Sequence, residues 1–228
     1  MSLKKWIYIK KQQLNRFLAV NLGRQRTQST LQIIIKTLKA NNYLPDKLIA
    51  LEVFGFIGTS TAQDYIHLTA YFEIWELDPY YAKWAKKLNK SAIIMNGDSV
   101  EALKKGYMKR NDYNFVVIDP NIYTGNSFES FDVFENTLKY IDRENCIIIV
   151  TIYNNIQILA DMYCTKLQDF DPWLKARSAF FNMNNVINAR GDDYLDAFSK
   201  IIIQNKLEVI SCSFLSRNDA VGFGVFVI

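Results

Sequence analysis

One histidine, His67, in 228 residues leaves little room for chemistry that needs an imidazole. It falls in a helix-like stretch just after a glycine-bearing turn, where a structural place is expected, and no second histidine supports a hydrolase triad. Cysteine is scarce too. Cys146, Cys164 and Cys212 are widely spaced and odd in number, and two lie in strand-like apolar runs. That pattern favours free thiols in a reduced core over disulfides or a metal site, and none carries a nucleophile signature. No apolar run approaches a membrane span and no secretory signal opens the chain, so a cytoplasmic protein without a membrane partner is expected. Internal repeats and low-complexity segments are missing as well.

Acid is absent from the first 45 residues, which carry nine basic side chains: Lys4, Lys5, Lys10, Lys11, Arg16, Arg24, Arg26, Lys36 and Lys39. The remainder holds eighteen basic and twenty-three acidic side chains. Such asymmetry reads either as a cationic arm for a phosphate-rich partner, a nucleic acid foremost, or as a solvated helical face.

What is present is alternation. Helical patterns cover about 3–20 and, after Gly23, about 28–42, where Leu31, Ile34, Ile35 and Leu38 recur at helical spacing. Short apolar runs follow at 47–55, 72–78, 92–97, 114–119 and 146–153, separated by amphipathic stretches near 60–68, 79–89, 98–109 and 129–142. Runs too short for helices and rich in Ile and Val are the mark of parallel strands covered on both faces. Repetition of the strand–helix unit predicts a doubly wound α/β sheet with helices on both faces. Helix-like stretches at about 155–168, 173–181 and 190–204 make residues 154–206 a helical insertion before the sixth strand. Two final runs, 207–215 and 221–228, are joined by Ser216-Arg217-Asn218-Asp219, a linker that suits only an antiparallel hairpin. The organisation expected is a basic helical extension over 1–45 and one domain over 46–228.

Candidate chemistry gathers where the strands end. Leu51-Glu52-Val53-Phe54-Gly55-Phe56-Ile57-Gly58 closes the first strand with a glycine turn, which brings backbone N–H groups near a ligand. Eighteen residues after Gly58, Glu76 ends the second strand, where a carboxylate accepts from both ribose hydroxyls of a nucleoside cofactor. Asp78 before Pro79 is assigned to capping the next helix. Asp98, in Asn96-Gly97-Asp98-Ser99 at the third strand, is a partner for an exocyclic adenine amine or a helix cap. Asp119-Pro120-Asn121 ends the fourth, beside the expected switch point.

In this order the strand ends resemble those of the class I S-adenosylmethionine-dependent methyltransferases over roughly residues 28–228. Glu52 to Gly58 looks like that family's first motif, with Phe56 where its middle glycine is usual and Gly55 one place early. Trp75-Glu76-Leu77-Asp78-Pro79 is similar to the ribose-binding strand end, Gly97-Asp98 to the adenine side, and the terminal hairpin is a family trait. The resemblance implies a seven-stranded, mostly parallel Rossmann-like sheet and S-adenosylmethionine as cofactor. It implies cofactor contacts at Glu52, Gly55, Gly58, Glu76 and Asp98. Asp119 is the first choice for orienting the nucleophile, or else the methionine moiety. Asn121 and Tyr123 are expected at the substrate, in a stretch faintly similar to the Asp-Pro-Pro-Tyr signature of amino-methylating nucleic-acid enzymes. No metal is required, because alignment and desolvation can drive methyl transfer. A nucleic acid is the acceptor the basic region suggests. A small-molecule or protein acceptor, and a non-catalytic nucleic-acid-binding or scaffold protein on the same fold, are the alternatives. Trp173, Phe180, Phe181 and Tyr194 are expected in the core before a stacking surface, and Arg177 and Arg190 are candidate phosphate contacts.

Overall fold

The computed structural model describes residues 29–54, 62–120, 129–162, 171–184 and 186–228. Its frame is a seven-stranded sheet formed by β1 (Leu48–Val53), β2 (Thr69–Glu76), β3 (Ile93–Asn96), β4 (Phe115–Ile118), β5 (Ile147–Tyr153), β6 (Ser211–Ser216) and β7 (Val221–Val227). The order is β3-β2-β1-β4-β5-β7-β6. The first five strands are parallel, and β7 runs antiparallel to both β5 and β6. The doubly wound sheet and its terminal hairpin therefore stand as expected.

Burial on both faces explains why these segments are strands. Every residue of β4 and β5 is buried, so β-branched side chains fill both sides of the pleat. Alternation divides them between two clusters. Leu51, Val53, Val116, Ile118, Ile148 and Val150 pack on one face with Ala102, Leu103, Phe134, Tyr194 and Phe198. Ala50, Phe72, Ile74, Val117 and Ile149 pack on the other with Leu31, Ile34, Ile35 and Leu38. The last four belong to α1 (Thr30–Ala40), so this helix lies in the core of the second face. Its start is fixed by a capping box between Ser29 and Gln32.

The remaining helices are α2 (Pro79–Leu88), α3 (Ser99–Lys105), α4 (Glu129–Thr137), α5 (Ile156–Met162), α6 (Asp171–Phe181) and α7 (Gly191–Gln204). Three of them occupy the expected insertion. Leu174 and Phe181 of α6, and Tyr194, Phe198 and Ile202 of α7, join the first core cluster. The close approach of β6 to α7 depends on two glycines: a Cβ at Gly191 or Gly222 would lie 2.3 Å from the Phe214 ring.

Two expectations need correction. The stretch near 60–68 contains two 3₁₀ turns, Ala62–Asp64 and Ile66–Leu68, in place of an amphipathic α-helix. Tyr65 between them is drawn fully into the core, at φ −137°, and breaks the helical path. The helix expected to reach 109 stops at Lys105, where Gly106 takes the left-handed conformation of a C-cap. Among the described residues no helix is long and apolar enough to cross a membrane.

Candidate functional site

Register places three side chains at one level along the C-terminal edge. Val53 pairs with Trp75 on one side and with Ile118 on the other. One residue further lie Phe54, Glu76 and Asp119, and Glu76 is in turn paired with Asn96. The order of the strands reverses between β1 and β4, where ligands of open α/β sheets bind.

Each acidic residue has its own setting. Glu76 is buried, and its Oε1 accepts from the Asp78 amide at 2.8 Å. Asp78 caps α2 through the Tyr80 amide at 2.8 Å, with Pro79 at the first helical position. The division of labour expected for these two residues is thus seen on the capping side. Asn96 braces the same turn by donating Nδ2 to the carbonyls of Glu76 and Leu77. Asp98 is exposed and caps α3, its Oδ1 accepting from Val100 N at 2.8 Å and Glu101 N at 3.3 Å.

Glu52 lies two residues short of the edge, or about 6–7 Å along the strand. It is 2% exposed and accepts the Tyr65 hydroxyl at 2.6 Å. Burial, then Glu52, then Asp119 and Asp64 push that hydroxyl well above the ordinary tyrosine range, so it remains a donor. Asp64 is held from α1, by Ser29 Oγ at 2.5 Å and Gln32 Nε2 at 2.9 Å. The start of α1 is thereby tied to the segment that follows the glycine turn.

Asp119 has partners that sequence reasoning missed. Thr151 of β5 donates its hydroxyl to Oδ1 at 2.6 Å, and Arg217 of the β6–β7 turn faces Oδ2 at 3.7 Å. Neighbouring contacts fasten the same corner. Tyr153 Oη donates to the Pro120 carbonyl at 2.7 Å, and the Asn154 amide donates to the Ala220 carbonyl at 2.8 Å.

Arg177 is not a surface phosphate contact. It is 2% exposed, donates to the Tyr153 carbonyl at 2.6 Å, and lies 4.0 Å over the Tyr194 ring. Burial lowers its ordinarily very high pKa. Phe181 and Tyr194 pack in the core, as expected, and Arg190 donates to the carbonyls of Asn154 and Ala189. His67 is exposed in the second 3₁₀ turn. Gly55, Phe56, Gly58, Asn121 and Tyr123 lie outside the described residues.

The backbone itself marks the edge. Phe54 adopts φ +66°, a left-handed conformation that costs a bulky residue and that glycine takes freely. Among sequence features, only its place between the end of a strand run and Gly55 hints at this.

No protein-family model and no curated protein matches the sequence. Solved structures do match. Magnesium protoporphyrin IX methyltransferase from Synechocystis PCC 6803, solved with bound SAH, superposes with a TM-score of 0.56 at 14% identity over 98% of each chain. A TehB-like SAM-dependent methyltransferase from Corynebacterium glutamicum gives 0.54 at 10% identity over 96% of each. The N-methyltransferase NodS from Bradyrhizobium japonicum gives 0.53 at 8% identity, over 87% of this chain and 93% of that one. Likeness at such identities is one of fold, and it agrees with the strand order and the antiparallel last strand. The chain carries the Rossmann-like fold of the class I S-adenosylmethionine-dependent methyltransferases.

Proposed function

We propose that the protein is an S-adenosylmethionine-dependent methyltransferase whose cofactor lies across the C-terminal ends of β1 to β4. The observation that carries this reading is the row of carboxylates Glu76, Asp98 and Asp119 at the ends of successive strands flanking the switch point. Carboxylates accept hydrogen bonds and attract cations, and they repel phosphate. A dinucleotide, which carries a pyrophosphate, fits this edge poorly. A phosphate-free nucleoside bearing hydroxyls, an exocyclic amine, a sulfonium and an ammonium fits it well.

In this reading Glu76 accepts from the ribose hydroxyls and Asp98 meets the adenine amine with the oxygen that does not cap α3. Glu52 serves the site through Tyr65, which it holds beside the segment following the glycine turn. Gly55 and Gly58 supply the close backbone approach. Of the two roles expected for Asp119, its pairing with Arg217 favours the methionine end over a free nucleophile. When bound, the cofactor supplies an electrophilic methyl group to a nucleophilic acceptor. Asn121 and Tyr123, which follow Asp119 in the chain, are the residues we assign to that acceptor.

A small-molecule acceptor is the preferred reading. The similar structures include an enzyme named for a protoporphyrin, and none of the three named above speaks of a nucleic acid. Seven of the nine basic residues behind the nucleic-acid expectation precede residue 29, outside the described part of the chain.

Calorimetric titration with S-adenosylmethionine and, separately, with NAD tests the cofactor. Saturable binding of the first and none of the second is expected. A folded protein that binds NAD and not S-adenosylmethionine would refute the reading.

A further inference from the structure

β3 is one edge of the sheet, and α2 packs against it and β2. The helix buries Ala82 and Ala85. Away from them, at spacings of three and four, stand Tyr80, Lys83, Trp84 and Lys87, so rings and ammonium groups share the outward face. Tyr80 is 62% exposed, and Leu77, three residues before it, is 63% exposed. Residues 79–97 hold four lysines, Lys83, Lys86, Lys87 and Lys90, all exposed, and no acidic side chain. Lys83 and Lys87 lie four apart, where like charges destabilise a helix. Among the described residues the ion pairs lie elsewhere, at Lys105–Glu101, Arg110–Asp112 and Arg217–Asp119.

An uncompensated cationic face calls for an anionic partner. Which anion follows from the other side chains. A nucleic acid is gripped by guanidinium forks and by rings with open faces. No arginine occurs between Arg26 and Arg110. Lys87 Nζ sits 4.9 Å over the Trp84 ring, and the Tyr80 ring meets Tyr81 and Trp84 edge to face at 5.5 and 6.3 Å. Leu77 has no face on which a base could stack. Lysine together with Tyr, Trp and Leu is the composition of a surface at the boundary of a bilayer. There the amphipathic rings sit at headgroup level, leucine meets the acyl chains, and the ammonium groups reach lipid phosphates.

We propose that the outer face of α2, together with Leu77, docks on an anionic lipid bilayer. Contact of this kind lies on the membrane surface and needs no spanning helix. It is independent of the cofactor reading. Because α2 starts at Pro79, three residues beyond Glu76, docking brings the C-terminal edge of the sheet close to the bilayer.

The test uses the full chain with unilamellar vesicles of phosphatidylcholine, alone or mixed with an equal part of phosphatidylserine. In cosedimentation the protein binds the mixed vesicles, does not bind phosphatidylcholine alone, and is released by salt as the charges are screened. Replacing both Lys83→Gln and Lys87→Gln weakens binding by roughly tenfold to thirtyfold, since each lysine near an anionic surface contributes about fivefold. Leu77→Ser weakens it by roughly threefold to tenfold. These side chains are exposed, so the melting temperature is unchanged and serves as the control for folding. Acyl chains carrying bromine quench the tryptophan fluorescence of the unaltered protein, and quench it less in Trp84→Phe. Undiminished binding by the lysine variant or by Leu77→Ser, equal binding to both kinds of vesicle, or equal quenching in Trp84→Phe overturns the proposal. Wild-type protein that ignores both vesicles and binds single-stranded oligouridylate through the same lysines also overturns it, and assigns the face to a nucleic acid.

Discussion

Two glutamates of β2, three residues apart, have opposite surroundings. Glu73 is fully buried and surrounded by donors: Tyr71 and Tyr113 hydroxyls reach Oε2 at 2.8 and 2.7 Å, and the Trp75 indole reaches Oε1 at 2.6 Å. Glu76 ends the strand, 8% exposed, one step beyond the last paired level of β1. A carboxylate met by three side-chain donors ties β2 to Tyr113, two residues before β4. One at a strand end, beside a switch point, is placed to meet a ligand. Residue type is the same in both, and what differs is place: Glu73 sits inside the sheet, and Glu76 at its C-terminal edge beside the switch point.

Substitution separates the two most strongly. Glu73→Ala strands the buried Tyr113 and Trp75 donors and the part-buried Tyr71 hydroxyl, and is expected to cost about 3–5 kcal/mol in urea unfolding, because each buried donor keeps its desolvation cost without a partner. A loss under about 1 kcal/mol would break the comparison. Glu76→Ala is expected to do the reverse. S-adenosylmethionine affinity should fall by roughly tenfold to a hundredfold, with a loss of stability smaller than that of Glu73→Ala. Unchanged affinity would remove Glu76 from the ribose.

Alkaline pH probes the hydroxyls held by Glu73, together with Tyr65 and Cys146. Burial first, then Glu73, raises the Tyr71 and Tyr113 hydroxyls, and burial followed by Glu52 raises Tyr65. A folded-state pKa above the unfolded value of about 10 contributes stability that is fully present below that value and lost as pH rises beyond it. Cys146, raised by burial and then by Asp142, has the same sign from a reference of 9.0. Thermal stability should therefore fall from about pH 9–10 upward, each buried group adding up to about 1.4 kcal/mol per pH unit to the slope. A melting temperature flat to pH 11 would contradict this.

The smallest effect concerns the strand end itself. Phe54→Gly and Phe54→Ala both remove the ring, but only glycine relaxes φ +66°, so the glycine variant is expected to be more stable by about 1 kcal/mol. Equal stabilities in parallel unfolding curves would show that no strain resides there.

Legibility in the sequence follows the same division. The middle strands could be read because burial on both faces forces a continuous apolar run, as in Ile147–Tyr153. β2 begins three residues before its expected start because Thr69, Ala70 and Tyr71 are only partly buried or exposed, and the run reads as apolar only from Phe72. Glu76, Asp78 and Asp98 could be picked out by their spacing from a local feature, a glycine turn or a following helix. Thr151 and Arg217 could not, since they reach Asp119 through the β4–β5 and β5–β7 pairings and have no local signature. Arg177 misled for a related reason. Charge is visible in a sequence, whereas the Tyr194 ring and the Tyr153 carbonyl that accommodate it are assembled by packing.

A crystal structure with S-adenosylhomocysteine tests the central claim most directly. The ligand is expected across the ends of β1, β2 and β4, with its ribose hydroxyls within about 2.6–3.2 Å of the Glu76 carboxylate. Density for the ligand elsewhere on the molecule, or none at saturating concentration, would contradict it.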